Sequence, residues 1–141
     1  SSCESLFIKR EFSKDGRNLL LKEEKEEGLT ESFEYLPNSN LPVAKIVSKN
    51  DRILLREFKE YDDCHNLIGV IEDDGASLDK NNLQDVKQRK IKKIILRQES
   101  PNLHLPEWVE ETYLEENIEK LLSRKHLLYD EEGRVINSLL H

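Results

Sequence analysis

Apolar and polar residues alternate with a period of two along much of this chain, a pattern typical of β-strands. The clearest run covers residues 54–61, and a short apolar segment follows at 67–71. Turn-forming Asp and Asn residues at 62–66 separate these two segments, and an Asp-Asp-Gly turn at 73–75 ends the second. The stretch predicts a β-hairpin.

Weaker alternation predicts further strands on both sides of this hairpin. They lie at 6–12, 18–22, 29–35, 43–48 and 86–97. Residues 76–85 are polar and predict a loop, as do residues 100–106, where Pro restricts the backbone at both ends. The pattern therefore favours an all-β chain of short antiparallel hairpins.

Residues 107–128 fit two interpretations. Four apolar side chains have the spacing of one helix face: Leu114, Ile118, Leu121 and Leu122. The alternative is a hairpin with strands at 108–114 and 118–129 and a turn at 115–117. We favour the hairpin, because it leads directly into the tyrosine at position 129, as a strand leads into Tyr61.

One arrangement recurs four times along the chain: an aromatic residue, a short turn, then an apolar strand. The aromatic residues are at positions 12, 35, 61 and 129, so successive intervals are 23, 26 and 68 residues. Intervals of about 20 to 50 residues are characteristic of repeat proteins. The residues of this arrangement are Phe12, Gly16 and Arg17; Tyr35 and Asn40; Tyr61, Asp62, Asn66, Leu67 and Gly75; and Tyr129, Asp130, Gly133, Arg134 and Val135.

These residues resemble the YD repeats of Rhs proteins, teneurins and the shell subunits of insecticidal Tc toxins. The family pattern is Tyr-Asp, two free residues, Gly, Arg or Asn, an apolar residue and a distal Gly. The copy at Tyr129 matches through Val135, and the copy at Tyr61 has His65 where the family has Gly. The copies at positions 12 and 35 depart further, with Phe-Ser and Tyr-Leu in place of Tyr-Asp. The resemblance covers residues 5–75 and 120–141.

The resemblance implies a curved sheet of antiparallel β-hairpin repeats, as a segment of a YD-repeat shell. Residues 1–75 would hold three degenerate repeats, 76–106 an irregular loop with a short strand, and 107–141 a hairpin leading into a further repeat. The implied role is a non-catalytic part of the wall that encloses a toxin or effector domain, in a secreted or cell-surface bacterial protein. The implied partners are other YD repeats of the parent chain and an enclosed C-terminal effector domain. The Asp-Pro pairs of the self-cleaving Rhs core are absent, so we assign the chain to the wall.

Charge and composition narrow the possible partners. The apolar and charged fractions are both 36%, which predicts a thin core and a sheet with one buried face. The net charge of −7 disfavours nucleic acid, because binding to a phosphate backbone needs clustered Lys and Arg. No apolar run approaches the ~20 residues that cross a bilayer, so no membrane span is predicted.

No catalytic, cofactor or metal site is predicted. Cys3 and Cys64 lack metal-ligand spacing and are expected as free thiols rather than a disulfide. The four histidines also lack ligand or catalytic spacing: His65, His104, His126 and His141. The aspartates at 62–63 and 73–74 are interpreted as turn formers. The chain is therefore not expected to be an enzyme.

Two further expectations concern side chains in this pattern. Gly133 is expected at positive φ, where Gly has no steric penalty, and its counterpart His65 should accept Gly, with Asn66 as the alternative left-handed residue. Trp108 is expected in the core or on the sheet surface. The alternative, in which Trp108 and the tyrosines line a binding face, would make the chain a cell-surface carbohydrate- or protein-binding β module.

Overall fold

The computed structural model describes residues 8–140, which form ten β-strands and no α-helix. The strands are β1 (Lys9–Phe12), β2 (Leu20–Glu24), β3 (Leu29–Tyr35), β4 (Pro42–Lys49), β5 (Arg52–Tyr61), β6 (Leu67–Asp73), β7 (Arg89–Leu96), β8 (Pro106–Glu115), β9 (Ile118–Tyr129) and β10 (Val135–Leu140). Their order in the sheet is their order in the chain. The predicted all-β fold of antiparallel hairpins is confirmed. The first predicted strand began at residue 6, and its first two residues lie outside the described part.

Contacts divide the chain into two compact units. Of the described residues, the first contains 8–58 and 73–87, and the second contains 59–72 and 88–140.

The core of the first unit lies on one face of β4 and β5. Ala44 is opposite Phe58, and Ile46 is opposite Arg56, in the ladder of these two strands. All four side chains are buried. Their spacing of two residues along each strand is the pleat periodicity that the alternating pattern predicted. The small apolar core therefore contains one charged side chain.

Fewer side chains are buried in the second unit. Ile71 on β6, Leu96 on β7 and Thr112 on β8 are buried, whereas all six residues of β10 are exposed. The thin core that the composition predicted is seen in both units.

The ambiguous segment after residue 106 is a β-hairpin, as favoured, and not a helix. Strands β8 and β9 are joined by Glu116 and Asn117, which have φ of 52° and 64°. Two consecutive left-handed residues suit the tight turn that matches strand twist. Leu122 is an extra residue in β9, between the residues that pair with Thr112 and Glu111. This bulge shifts the alternation of β9 by one residue after Leu121.

Candidate functional site

Two loops of the second unit, residues 62–66 and 130–134, have the same backbone hydrogen bonds, and we call them the Asp-turn loops. In each, the N–H of the first residue donates to the carbonyl of the fifth (2.9 Å in both loops). The N–H of the fourth residue donates to the carbonyl of the first (3.0 and 3.1 Å). The fourth residue has φ of 64° in one loop and 79° in the other. This is a tight turn followed by one left-handed residue, a common way to close a hairpin.

Asp62 closes the first Asp-turn loop with its carboxylate. Oδ1 accepts the backbone N–H groups of Cys64 (3.0 Å) and Asn66 (2.8 Å), and Oδ2 accepts the Asn66 side-chain amide (3.1 Å). The left-handed residue is His65 and not the alternative Asn66. Asn66 instead binds the carboxylate through its side-chain amide.

Asp130 makes the corresponding bonds in the second Asp-turn loop. Oδ1 accepts the N–H groups of Glu132 and Arg134, both at 2.9 Å, and Oδ2 accepts Arg134 Nε at 2.8 Å. The positive φ expected at Gly133 is confirmed. Arg and Asn are thus interchangeable at the fifth position, because the side chain of each donates an N–H to Oδ2 of the aspartate.

These hydrogen bonds favour the charged form of both aspartates. The backbone N–H of Asn66 is the largest cause that lowers the pKa of Asp62 below its ordinary 3.8. The backbone N–H of Arg134 does the same for the pKa of Asp130. Carboxylates of this kind hold a turn together and are poorly suited to donate a proton near neutral pH.

Two tyrosines of the motif, Tyr35 and Tyr129, tie strand ends together through their hydroxyl groups. Tyr35, the last residue of β3, donates to the carbonyl of Leu20, the first residue of β2 (2.7 Å). Tyr129, the last residue of β9, donates to the carbonyl of Pro106, the first residue of β8. Burial raises the pKa of the Tyr129 hydroxyl, which keeps it protonated as a donor. Sequence reasoning identified the tyrosine positions but not this repeated bond.

The copy that follows β1 closes its loop with a serine. Ser13 N–H donates to the carbonyl of Leu19 (2.8 Å), and Ser13 Oγ accepts the Leu19 N–H (2.9 Å). Gly16 has φ of 87°, as the motif expects, and the N–H of Arg17 donates to Asp15 Oδ1 (3.1 Å). The hydroxyl thus takes the place of the missing Asp across a longer loop.

The copy that follows β3 departs furthest from the Asp-turn loops. Leu36 N–H donates to the carbonyl of Leu41 (2.8 Å), but Leu36 has no carboxylate to close the loop. Ser39 Oγ instead accepts the Leu41 N–H (3.1 Å). The left-handed residue is Asn38, at φ of 58°, one position earlier than the motif places it, and Asn40 lies in the loop after it.

A further loop, residues 97–105, joins β7 and β8 within the long interval between Tyr61 and Tyr129. Its ends are held by Arg97 N–H to the Leu105 carbonyl and His104 N–H to the Arg97 carbonyl, both 2.9 Å. Asn102 Nδ2 donates to the carbonyl of Asp130 at 3.1 Å. This loop therefore supports the second Asp-turn loop. Sequence reasoning predicted a loop at residues 100–106 but not this contact, because no residue type marks a backbone carbonyl as an acceptor.

Arg56, on β5 in the first unit, is a fully buried arginine paired with Asp73. The exposed fraction of both side chains is 0%. Arg56 Nε donates to Asp73 Oδ1 at 2.6 Å, and Nη2 donates to Oδ2 at 2.8 Å. The guanidinium carbon lies 5.4 Å from the centre of the Phe58 ring. The geometry is a two-pronged ion pair sheltered from solvent.

The connection between β6 and β7 folds around this guanidinium. Arg56 Nη1 donates to the carbonyls of Ser77 and Asp79, both at 2.8 Å, and Nη2 donates to that of Asn82 at 3.3 Å. Arg56 thereby organises residues 74–88, which contain no strand, as the sequence predicted for 76–85. We call Arg56, Asp73 and these three carbonyls the arginine site.

Gly75, the distal Gly of the motif, lies directly against the arginine site. Its N–H donates to Asp73 Oδ1 at 3.0 Å. A Cβ added at Gly75 would lie 2.3 Å from Arg56 Nη2. Glycine is required here because the Arg56 guanidinium lies so close to the backbone, and not because the backbone is left-handed.

Trp108 on β8 packs against two side chains of β9. Its ring stacks on the His126 ring at 4.1 Å with an angle of 7°, and the Arg124 guanidinium carbon lies 4.2 Å from its centre. Both contacts use the aromatic face of the indole, the surface on which a sugar would stack. Trp108 is half-buried on the sheet surface, in line with the interpretation of it as a packing residue.

Two kinds of site are not found within residues 8–140. No group of three His, Cys, Asp or Glu side chains there could hold a metal ion, and no helix in that range is long and apolar enough to cross a membrane. Cys64 is exposed with a free thiol, whereas Cys3 and His141 lie outside the described residues.

Comparison with known proteins adds no relative to this picture. No model of a known protein family matches the chain, and a search of curated proteins finds no match. The interpretation of the loops and of the arginine site therefore rests on their geometry.

Proposed function

We propose that this chain is a non-catalytic structural segment of an Rhs/YD-repeat protein, forming part of the β-sheet wall that encloses a toxin or effector domain. The observation that carries the proposal is the pair of Asp-turn loops. Residues 68 positions apart, at Asp62 and Asp130, make the same set of hydrogen bonds through the positions that define the YD motif. Two copies of the sequence motif therefore form the same hydrogen-bonded loop.

The proposal accounts for each class of motif residue. The aspartate closes the turn, the fourth residue supplies the left-handed backbone, and Tyr35 and Tyr129 fasten neighbouring strand ends. Each of these roles is structural, which supports the proposal. Hairpins that bury little surface individually gain stability from their neighbours, which is the principle of a repeat wall.

The charged groups also favour a structural role. Arg56 and Asp73 are buried and satisfy each other, while the hydrogen bonds of the Asp-turn loops lower the pKa of Asp62 and Asp130. General acid catalysis at neutral pH needs a carboxyl group whose pKa is raised. Replacing His65, His126 or Asp62 by Ala should accordingly abolish no activity.

Protease protection in the parent protein tests the enclosing role. A domain inside a closed wall should resist cleavage that removes the same domain when it is expressed alone. Asp62→Ala combined with Asp130→Ala should shorten the protection, because both Asp-turn loops lose their closing carboxylate. The matched control combines Asp63→Ala and Glu131→Ala, the exposed neighbours in the same loops. Equal cleavage of the enclosed and isolated domain would refute the wall.

The second candidate is a cell-surface carbohydrate- or protein-binding β module. One observation favours it: a half-exposed row formed by residues in register across four strands, Ile95, Trp108, His126 and Leu139. A glycan array probed with the chain and with Trp108→Ala separates the two functions. Binding that disappears in the variant supports the module, and no binding by the parent chain favours the wall.

A further inference from the structure

Two Asp-Gly pairs occur in the sequence, Asp15-Gly16 and Asp74-Gly75. An aspartate that precedes a glycine can rearrange its own backbone, because the amide nitrogen of the glycine can attack the side-chain carboxyl carbon and no Cβ shields that nitrogen. The reaction needs an accessible nitrogen and room for a five-membered ring. The structure gives the two pairs opposite surroundings.

The first pair lies at the tip of the loop 13–19, between β1 and β2. Residues 14–18 are all exposed, and exposed loop tips are among the least constrained parts of a fold. Within residues 8–140, the hydrogen bonds that close this loop leave the Gly16 N–H unused. A Cβ added at Gly16 would meet no atom within 4 Å apart from its chain neighbours. The nitrogen and the space beside it are therefore open.

The carboxyl group of Asp15 is turned towards the backbone that follows it. Oδ1 accepts the N–H of Arg17, two residues further on, at 3.1 Å. Aspartate side chains commonly bond their own backbone in this way. The amide of Gly16 is the peptide group between the two bonded residues, so the carboxyl is held next to the nitrogen that would attack it.

The second pair is closed in by the arginine site. Gly75 is buried, and its N–H donates to Asp73 Oδ1 at 3.0 Å. Asp74 Oδ1 accepts the N–H of Lys87 at 2.8 Å, which binds this carboxyl to a residue distant in sequence. A Cβ added at Gly75 would lie 2.3 Å from Arg56 Nη2, so a ring has no room there. Ring formation at Asp74 would have to break both hydrogen bonds and displace the guanidinium.

We propose that Asp15-Gly16 is a site of spontaneous backbone isomerisation, at which Asp15 becomes isoaspartate. The Gly16 nitrogen bonds to Asp15 Cγ, and the carboxyl hydroxyl leaves with the amide proton as water. Water from the solvent then opens the succinimide ring. Addition at Cγ restores aspartate, whereas addition at the main-chain carbonyl leaves the chain joined through Cγ and frees the α-carboxyl group. One water is lost and one is gained, so the mass is unchanged and no oxidant is needed.

This inference stands apart from the proposed function, because it depends on the loop 13–19 alone. The groups that face Asp15 affect the rate. Ser13 Oγ donates to Oδ1 at 2.9 Å, and Arg17 Nε lies 3.8 Å from Oδ2. The backbone N–H of Arg17 is the largest cause that lowers the pKa of Asp15 below its ordinary 3.8. Water leaves from the uncharged carboxyl and not from the carboxylate, so isoaspartate should form faster at about pH 5 than at about pH 7.

Peptide mapping of the folded chain, after incubation at physiological temperature and neutral pH, tests the proposal. Fragmentation by electron transfer distinguishes isoaspartate from aspartate in the peptide that contains each pair. Isoaspartate at Asp15 should exceed that at Asp74 at least about tenfold, because the second pair reacts only when the arginine site opens. In the chain unfolded by guanidinium the two pairs should react at similar rates, since both are Asp-Gly and the surroundings are removed.

The matched control is Asp15→Glu, which keeps the carboxylate but would need a six-membered ring that closes far more slowly. A methyltransferase specific for isoaspartate should label the incubated parent chain and leave Asp15→Glu at the level of fresh protein. Four outcomes would overturn the proposal. They are equal isoaspartate at Asp15 and Asp74 in the folded chain, equal labelling of the parent and Asp15→Glu, a rate at Asp15 that does not rise between neutral pH and about pH 5, and a rate at Asp15 that increases more than about tenfold on unfolding.

Discussion

The connection 74–88 and the loop 130–134 hold their strands by opposite means. The first is long and irregular, and it is organised by a buried guanidinium that donates hydrogen bonds to the carbonyls of Ser77, Asp79 and Asn82. The second has five residues and is closed by the carboxylate of Asp130 acting on its own backbone. The first loop is organised by a distant residue of the sheet. The second is closed by its own carboxylate and receives a hydrogen bond from outside, from Asn102 Nδ2.

The difference has a thermodynamic consequence. Water can replace lost hydrogen bonds at an exposed turn, so removal of a partner there costs little beyond the bond itself. At the arginine site no water reaches the ion pair, and a partner that is left behind stays charged and buried. We therefore expect variants of the arginine site to be more destabilising than variants of the Asp-turn loops.

Arg56→Met should have the largest effect. It leaves the Asp73 carboxylate buried and removes the donor for three carbonyls, and breaking one partner of a buried ion pair typically costs about 3–5 kcal/mol. Urea denaturation should show this loss in the free energy of unfolding. Arg52→Met, at the exposed start of the same strand, is the matched control and should change stability by less than about 0.5 kcal/mol.

A double variant shows whether the loss arises from the unpaired charge. Arg56→Met combined with Asp73→Leu removes both charges and should be more stable than Arg56→Met alone. A loss below about 1 kcal/mol in the single variant would contradict the role given to Arg56.

Gly75→Ala should have the second largest effect. The added Cβ would lie 2.3 Å from Arg56 Nη2, and the guanidinium cannot retreat because its partners surround it. Overpacking of this kind costs about 1–3 kcal/mol. The control is Gly69→Ala, whose Cβ would meet only the flexible Glu60 side chain, at 3.4 Å. Equal melting temperatures for the two variants would show that the close approach at Gly75 is unimportant.

The same contrast explains what could be predicted from the sequence. The strands and the Asp-turn loops follow from local signals, namely the alternating pattern and the positions of Asp, Asn and Gly. Tight turns are determined within about five residues, so the sequence contains most of what is needed. The tyrosine at each strand end was also found as a position, although its hydrogen bond was not.

The arginine site could not be predicted in this way. Its partners include backbone carbonyls, which any residue supplies, so no residue type at 77–82 marks them. Asp73 was interpreted as a turn former, and Arg56 as one polar position in an alternating run. The sequence did contain one signal, which was the position of Arg56 in the alternating pattern. Arg56 is two residues from Phe58 and therefore lies on the face that the strand buries. A charged residue on the apolar face of a strand predicts that a partner for its charge is buried beside it.

Gly133→Val tests the Asp-turn side of the comparison and should have a smaller effect than Gly75→Ala or Arg56→Met. Gly133 has φ of 79°, and a β-branched side chain is strained there, so the loss should exceed the ~1 kcal/mol of an ordinary Gly replacement. His65→Gly, at the equivalent position, should be accepted without loss. A thermal melt of Gly133→Val that matches the parent would remove the left-handed requirement from this loop.

The smallest expected effect concerns pH, because Asp62 and Asp130 act at exposed turns. The pKa of each carboxyl is lower in the folded state than its ordinary 3.8, chiefly through the backbone N–H of Asn66 or Arg134. The unfolded chain therefore takes up protons at a higher pH than the folded chain does. The stability that each carboxylate contributes is fully present above the unfolded pKa of about 4. It is lost as the pH falls through the lower folded value.

Asp130→Asn keeps an oxygen acceptor but removes the charge, so its melting temperature should fall less steeply with acid than that of the parent between about pH 5 and pH 2. Asp62→Asn should behave in the same way. Glu131→Gln, an exposed neighbour in the second Asp-turn loop, is the matched control and should follow the parent curve. An Asp130→Asn curve parallel to that of the parent would show that the carboxylate charge contributes nothing to this loop. If Asp130→Asn were instead as destabilising at neutral pH as Arg56→Met, the exposed turn would depend on its charge as strongly as the buried site does, and the distinction between the two loops would fail.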